Sequence, residues 1–130
     1  MEKRILLYII GLFFVSVSVL AQDRPLEVIA AFKKGNATEL STYFGERMDL
    51  AIVTRSRNVD RQTARDMLNN FFSTNKVKDF TVNHEGKRDD SSFFVGTLTT
   101  DNGSFRINCF FKRIQNKYLI HQIRVDKANE

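Results

Sequence analysis

The segment Ser92–Arg113, SFFVGTLTTDNGSFRINCFFKR, contains two runs of alternating apolar and polar residues that are joined by Asn102-Gly103. Alternation with a period of two indicates β-strands, and Asn-Gly favours a two-residue hairpin turn because both positions tolerate positive φ. Folding the segment about this turn predicts one almost entirely apolar face, formed by Phe94, Gly96, Leu98, Phe105, Ile107, Cys109 and Phe111. We therefore expect an antiparallel hairpin whose apolar face carries the helices of the domain.

The opposite face of this hairpin mixes polar side chains with aromatic rings. Consecutive phenylalanines in a strand point to opposite sides, so Phe93 and Phe110 lie on this face, and the predicted register places them opposite Lys112 and Val95. Exposed rings of this kind are usually covered. A second copy of the chain, forming a homodimer through the sheet face, is the simplest candidate.

The remaining strands differ in how well the sequence defines them. The runs VKDFTVNHE and KYLIHQIRV continue the period-two pattern, and RMDLAIVT predicts an earlier strand that is followed by a polar connection, RSRNV. In KYLIHQIRV, a two-residue and a three-residue turn near Asn116 place opposite halves of the strand on the core face. Either Leu119 and Ile123 or Ile120 and Gln122 point inward, and the sequence leaves both alternatives open.

Three helices precede or interrupt these strands. In PLEVIAAFKK, helical spacing predicts that Leu26, Ile29 and Ala30 form one face, and Asn36 is expected to cap a second, short helix. Asp60 is expected to cap a long helix with an apolar stripe at i, i+3, i+4, i+7 and i+8. That stripe comprises Ala64, Met67, Leu68, Phe71 and Phe72.

The first 21 residues have the order of a secretory signal peptide. Lys3 and Arg4 precede an uncharged apolar run from Ile5 to Leu20, and Ala21 fits the small-residue cleavage rule. We therefore expect a signal peptide at residues 1–21, a single domain at residues 22–130, and export to the periplasm or the extracellular space. The alternative is an uncleaved anchor, although the run falls just short of the ~20 residues that span a bilayer.

The order helix, short helix, strand, long helix and four strands resembles the nuclear transport factor 2-like superfamily, also grouped as cystatin-like. The segments FKKGNATELSTYFGERMDLAI, ARDMLNNFFSTN, FTVNHEGK and KYLIHQIRV are similar to a small exported family of Bacteroidetes-type bacteria, domain of unknown function 4783. The resemblance implies an α+β fold in which a bent antiparallel sheet of four to five strands wraps N-terminal helices into a cone, in the order α-α-β-α-β-β-β-β. It implies no activity, because the superfamily contains both enzymes and non-catalytic binding modules.

Two classes of function follow from these observations. The leading hypothesis is an exported, non-catalytic module that binds a small apolar or amphipathic ligand, or a protein partner, through the cone or the sheet face. Phe71, Phe72 and Phe44 are the candidate ligand-binding residues, although aromatic stripes at helical spacing are usually core. The alternative is an isomerase, dehydratase or hydrolase-type enzyme that uses His84 or His121 with a carboxylate in the cone.

Charge and motifs define the remaining candidates. Arg57, Arg61 and Arg65 belong to the one dense basic group, and their guanidinium groups suit an anionic glycan or lipid. The alternative is a solvated face balanced by nearby aspartates.

The sequence contains no metal-ligand spacing and no cofactor motif. Its net charge of +5 is scattered rather than gathered into a stripe, which argues against a nucleic-acid partner. Cys109 is the sole cysteine, and we expect its thiol to be buried and unreactive.

Overall fold

A computed structural model describes residues 25–128; the predicted signal peptide lies outside the described residues. The described chain contains three helices and six strands. In order, they are α1 (Leu26–Lys34), α2 (Ala37–Ser41), β1 (Phe44–Ile52), β2 (Arg55–Asp60), α3 (Arg61–Thr74), β3 (Val77–Arg88), β4 (Ser91–Thr100), β5 (Gly103–Ile114) and β6 (Lys117–Lys127).

The strands form one mixed sheet in the order β2-β1-β6-β5-β4-β3. The predicted α+β class is confirmed. The sheet has six strands, however, and it is not wholly antiparallel, because β1 and β6 run parallel with Leu50 opposite Ile123. These two strands are far apart in sequence, so no tight hairpin constrains their relative direction.

The extra strand is β2, which occupies the segment expected to be a polar connection. Val53 adopts a φ of 57° in the tight turn after β1, and the chain returns with Arg55 opposite Ile52. β2 is an edge strand, and Val59 is its one buried residue. An exposed edge strand needs no alternation of apolar and polar residues, which is why RSRNV lacks the pattern of a strand.

The β4–β5 hairpin has the predicted apolar face but a different turn. Thr100 pairs with Gly103, so the turn residues are Asp101 and Asn102, and the positive φ of 108° falls on Gly103. The register is shifted by two residues from the one predicted. Because a shift of two preserves the facing of every side chain, the apolar face is correct, whereas Phe93 lies opposite Phe110 rather than Lys112.

A β-bulge resolves the facing of the last strand. Gln115 and Asn116 form a two-residue turn, both with positive φ as in a type I′ hairpin. Phe111 pairs with Ile120 and Phe110 with Gln122, so His121 is the extra residue of a bulge. Ile120 therefore faces the core before the bulge and Ile123 after it, and neither predicted alternative describes the whole strand.

The helices cover the apolar face of the sheet. Asn36 and Asp60 cap α2 and α3, with their side chains accepting hydrogen bonds from the backbone N–H groups of Glu39 and Thr63 at 3.0 and 2.8 Å. Both predicted caps are confirmed. The predicted face of α1 is only partly correct, since Ile29 packs against the core but Leu26 is 54% exposed. The same helical spacing two positions later places Val28, Ala31 and Phe32 in the core.

Phenylalanine rings fill the space between the helices and the sheet. The ring centroid of Phe32 lies 5.1 Å from that of Phe80 and 6.0 Å from that of Phe94. At the other end of the core, Phe71 meets Phe105 edge to face at 5.0 Å. Aromatic pairs at such distances add about 0.5 to 1.5 kcal/mol to the burial of their surfaces, so these rings hold α1 and α3 on the sheet.

Candidate ligand-binding cleft

An open cleft of about 810 Å³ lies at the end of the domain where two hairpin turns meet the start of α1. The turns are Asp89–Asp90, between β3 and β4, and Gln115–Asn116, between β5 and β6. The cleft is of the size that usually holds a small organic ligand. Its lining residues are Pro25, Glu27, Val28, Thr42, Tyr43, Phe44, Arg61, Lys87, Ser92, Phe111, Arg113, Asn116, Lys117, Tyr118 and Leu119.

The floor of the cleft is apolar. Val28, Phe44 and Phe111 lie beneath the cleft and belong to the buried core, with 2%, 0% and 3% of their surfaces exposed. Tyr118 and Leu119 are half-buried beside them. A ligand placed here would remove apolar surface from water, which contributes about 25 cal/mol for each Å² buried.

One wall of the cleft carries a tyrosine–carboxylate pair. The Tyr43 hydroxyl donates a hydrogen bond of 2.9 Å to Oε1 of Glu27. Desolvation, followed by the Glu27 hydrogen bond and charge, raises the pKa of Tyr43 above its usual value. The phenol therefore stays protonated at neutral pH and serves as a hydrogen-bond donor rather than as a base.

The rim of the cleft also carries basic side chains. We call Lys87, Arg113 and Lys117 the basic rim. The Lys87 ammonium lies 5.6 Å from the centroid of the Tyr118 ring, within cation–π range. Tyr118 in turn donates a hydrogen bond to the Asp89 carbonyl at 3.4 Å, so its ring ties the basic rim to the β3–β4 turn.

A smaller cavity of about 350 Å³ adjoins the start of α3. Ser41, Arg61, Gln62 and Arg65 line it, and Arg61 also lines the larger cleft. Arg65 forms an ion pair of 3.5 Å with Asp66. Arg57 lies apart on β2, where it is exposed and opposite Leu50. Of the three predicted anion-binding arginines, the structure therefore brings Arg61 and Arg65 together at one cavity.

The predicted aromatic residues divide between the core and the cleft. Phe71 and Phe72 are 8% and 7% exposed and line neither cavity; they close the end of the core that lies away from the cleft. Phe44 does line the cleft. The rings at the end of the long helix are thus packing residues, and the cleft opens at the opposite end of the domain.

Both histidines lie on the open face, which we define as the face of the sheet without helices. The ring centroids of His84 and Phe93 are 5.7 Å apart, those of Phe93 and Phe110 are 6.0 Å apart, and those of Phe110 and His121 are 6.4 Å apart. The four rings therefore form a continuous row across β3, β4, β5 and β6. Neither histidine lines either of the two cavities described above, and the row rather than a histidine–carboxylate pair is their shared feature.

Sequence reasoning missed the basic rim, although the sequence holds a signal for it. In an antiparallel series of strands, the first and third turns lie at the same end of the sheet. Basic residues flank both of these turns in GKRDD and FKRIQNK. Together, the two facts predict that Lys87, Arg113 and Lys117 lie near one another.

The described residues contain neither a helix that could cross a membrane nor a group of metal ligands. Among residues 25–128, no helix has the length and apolar character needed to cross a membrane. Within the same range, no three His, Cys, Asp or Glu side chains are grouped as metal ligands would be.

With helices on one face of a six-stranded sheet and a cleft at one end, the domain has a fold like that of nuclear transport factor 2-like and cystatin-like proteins. Residues 26–126 match the family model described as Domain of unknown function (DUF4783), and the chain belongs to that family. The predicted family is therefore confirmed. Among curated proteins, none matches this chain.

Solved structures agree with this assignment. A DUF4783 family protein from Bacteroides fragilis is 64% identical, with 81% of this chain and 99% of that chain covered and a TM-score of 0.78. One from Bacteroides ovatus is 57% identical, with coverages of 84% and 99% and a TM-score of 0.81. A protein with a cystatin-like fold from Nostoc punctiforme is 9% identical, with coverages of 87% and 78% and a TM-score of 0.66, and it supports the fold alone.

Proposed function

We propose that this domain is an exported, non-catalytic binding module that holds a small amphipathic ligand in the cleft. The observation that carries the proposal is the composition of the cleft: buried Val28, Phe44 and Phe111 form the floor, and polar side chains form the rim. An apolar floor with a few polar groups around it is the usual composition of a small-molecule site. Export rests on the predicted signal peptide.

The enzyme alternative receives no support from the positions of its candidate residues. His84 and His121 lie on the open face, away from the cleft. The titratable pair that does line the cleft is Tyr43 and Glu27, and burial raises the pKa of Tyr43. A phenol with a raised pKa is a poor proton donor for catalysis at neutral pH.

A fluorescence titration with Nile red, an uncharged dye that brightens in apolar sites, tests the cleft. Ser92 is half-buried and lines the cleft, so Ser92→Trp should place an indole ring in it and weaken saturable dye binding. Ser91→Trp is the matched control, because its neighbouring side chain is exposed and points to the other face of β4. An affinity unchanged by Ser92→Trp would place the dye elsewhere, for example on the open-face rings, and would refute the proposal.

We also propose that the open face binds a second copy of the chain. The row reads His84, Phe93, Phe110, His121, which is the same order in both directions. A two-fold axis between Phe93 and Phe110 would therefore bring rings against rings, as an isologous interface requires. The face also carries both signs of charge, since Arg124 and Asp126 form an ion pair of 3.0 Å on β6.

Sedimentation equilibrium measures this association directly. The domain should have twice the monomer mass, and Phe110→Glu should reduce it to the monomer mass, because a carboxylate would be buried in the ring row. Thr38→Glu, at an exposed position on α2, is the control and should remain dimeric. A monomeric wild-type domain at micromolar concentration would rule out this interface.

A further inference from the structure

The charge of the cleft rim selects among amphipathic ligands. Four cationic side chains line the cleft, namely Lys87, Arg113 and Lys117 of the basic rim together with Arg61. One carboxylate, that of Glu27, lines it with them, and this group already accepts the hydrogen bond from Tyr43. The cleft is therefore a basic opening above an apolar floor.

The cations of the basic rim lack carboxylate partners. The ion pairs among residues 25–128 are Lys34–Glu39, Arg65–Asp66 and Arg124–Asp126, and none of them involves the rim. Arg113 donates a hydrogen bond to the side-chain oxygen of Asn116 at 3.3 Å, which is a neutral partner. Asp89 and Asp90 in the adjacent turn neither line the cleft nor pair with these cations within the described part of the chain.

Backbone contacts hold the rim in place. The backbone N–H of Arg113 donates a hydrogen bond to the Asp90 carbonyl at 2.7 Å, which links the β5–β6 hairpin to the β3–β4 turn. Tyr118, whose ring lies next to the Lys87 ammonium, is bonded to the same turn. The two turns that carry the basic rim are therefore joined by contacts that do not depend on a ligand, which lowers the cost of bringing the rim together on binding.

From these observations we infer that the ligand of the cleft is a single-chain amphiphile with a carboxylate head group, of the fatty-acid type. The basic rim would hold the carboxylate, and the half-buried side chains of Tyr118 and Leu119, above the core residues of the floor, would receive the apolar chain. A guanidinium fork suits a carboxylate, and a concave site of about 810 Å³ suits a monomeric molecule rather than a flat lipid surface. This inference rests on the proposed function and adds the chemical class of the ligand.

The test compares cis-parinaric acid, a fluorescent fatty acid, with its methyl ester. The two probes have the same apolar chain, and only the acid carries a charge at neutral pH. The acid should bind at least about tenfold more tightly, a ratio that corresponds to about 1.4 kcal/mol. The preference should shrink as salt is added, because the rim is open to solvent.

Variants locate the source of the preference. Lys87→Gln, Arg113→Gln and Lys117→Gln together should remove the preference for the acid while leaving the affinity for the ester within about twofold. The matched control combines Lys33→Gln, Lys78→Gln and Lys127→Gln, which remove the same charge at exposed positions outside the cleft. Should the triple variant fail to fold, the single variant Lys117→Glu, at an exposed position at the start of β6, should still reduce the preference for the acid.

The outcomes separate the inference about the head group of the ligand from the proposal that the cleft binds a ligand at all. Equal affinity for acid and ester would overturn the carboxylate inference and leave the cleft as a binding site. Binding of neither probe would overturn both proposals. Rim-dependent binding to phosphatidylglycerol vesicles without binding of the monomeric acid would also overturn the inference, because the rim would then recognise a lipid surface.

Discussion

Replacing Gly96 with alanine should destabilise the domain, because two groups occupy the position of the new methyl group. A Cβ at Gly96 would lie 2.7 Å from Cε1 of Phe80 and 2.8 Å from the backbone oxygen of Thr81. Both distances are shorter than real Cβ atoms tolerate. Phe80 is 1% exposed and is enclosed by the rings of Phe32 and Phe94, at centroid distances of 5.1 and 5.8 Å, so it has no free volume to enter.

The expected cost follows from the balance of two effects. Overpacking a well-filled core costs about 1 to 3 kcal/mol. Replacing glycine also reduces the entropy of the unfolded chain, which offsets about 0.4 to 1 kcal/mol of that cost. We therefore expect Gly96→Ala to lower the free energy of unfolding by about 1 to 2 kcal/mol. Each kcal/mol corresponds to a fall in Tm of about 4 to 8 °C for a domain of this size.

Urea denaturation followed by far-UV circular dichroism measures this loss, which should appear as a lower midpoint with an unchanged slope. Gly86→Ala is the matched control on the partner strand. Its Cβ would meet the ring of Phe93, but that ring lies half-buried on the open face and can turn away. Gly86→Ala should therefore cost less than half as much. A Gly96→Ala variant as stable as the wild type would refute the reasoning.

Three further predictions concern the core, the thiol and a helix cap. Phe71→Ala should lower the free energy of unfolding, measured by urea denaturation, by about 3 to 5 kcal/mol. The affinity for Nile red should not change, and weaker dye binding would show that Phe71 contributes to the ligand site. Cys109 is fully buried and desolvation raises its pKa well above the usual value, so Ellman's reagent should label it only as fast as the domain unfolds; rapid labelling of the native protein would contradict this. Hydrogen bonds from Thr63, first through its side chain and then through its backbone, lower the pKa of Asp60. Its stabilisation is therefore present above the unfolded-state pKa and is lost as the pH falls through the lower folded-state pKa. Asp60→Asn keeps the cap and should make Tm less dependent on pH in the acidic range. If the pH dependence of Tm is unchanged in this variant, other groups cause it.

The parts of the fold that followed from the sequence are those fixed by local rules. The caps at Asn36 and Asp60 depend on residues three positions apart, and the apolar face of β4 and β5 depends only on alternation. The register shift at Gly103 left that face intact because it was even. The facing of β6 failed to follow because the bulge at His121 is imposed by pairing with β5, and no short-range pattern encodes it.

The candidate site was less predictable because it is assembled from distant segments. Lys87 and Arg113 become neighbours only when two hairpins stand side by side in the sheet. Helical spacing predicts correctly that Phe71 and Phe72 belong to the apolar stripe of α3. It does not predict which end of the core stays open, because that depends on the lengths of the turns and strands at each end. Phe44 is the first residue of β1. Its ring lies in the core directly beneath the cleft and therefore forms part of the floor.

The parallel pairing of β1 with β6 has a consequence for the order in which the domain can form. β6 is the last of the six strands in sequence but lies inside the sheet, between β1 and β5. While a ribosome is still adding β6, the β1–β2 hairpin and the β3–β5 meander have no hydrogen bonds to join them, and the contact of Leu50 with Ile123 must close a very long loop. A nascent chain of this topology therefore completes its native sheet only after β6 has been synthesised, because β6 provides the backbone hydrogen bonds that join the two groups of strands.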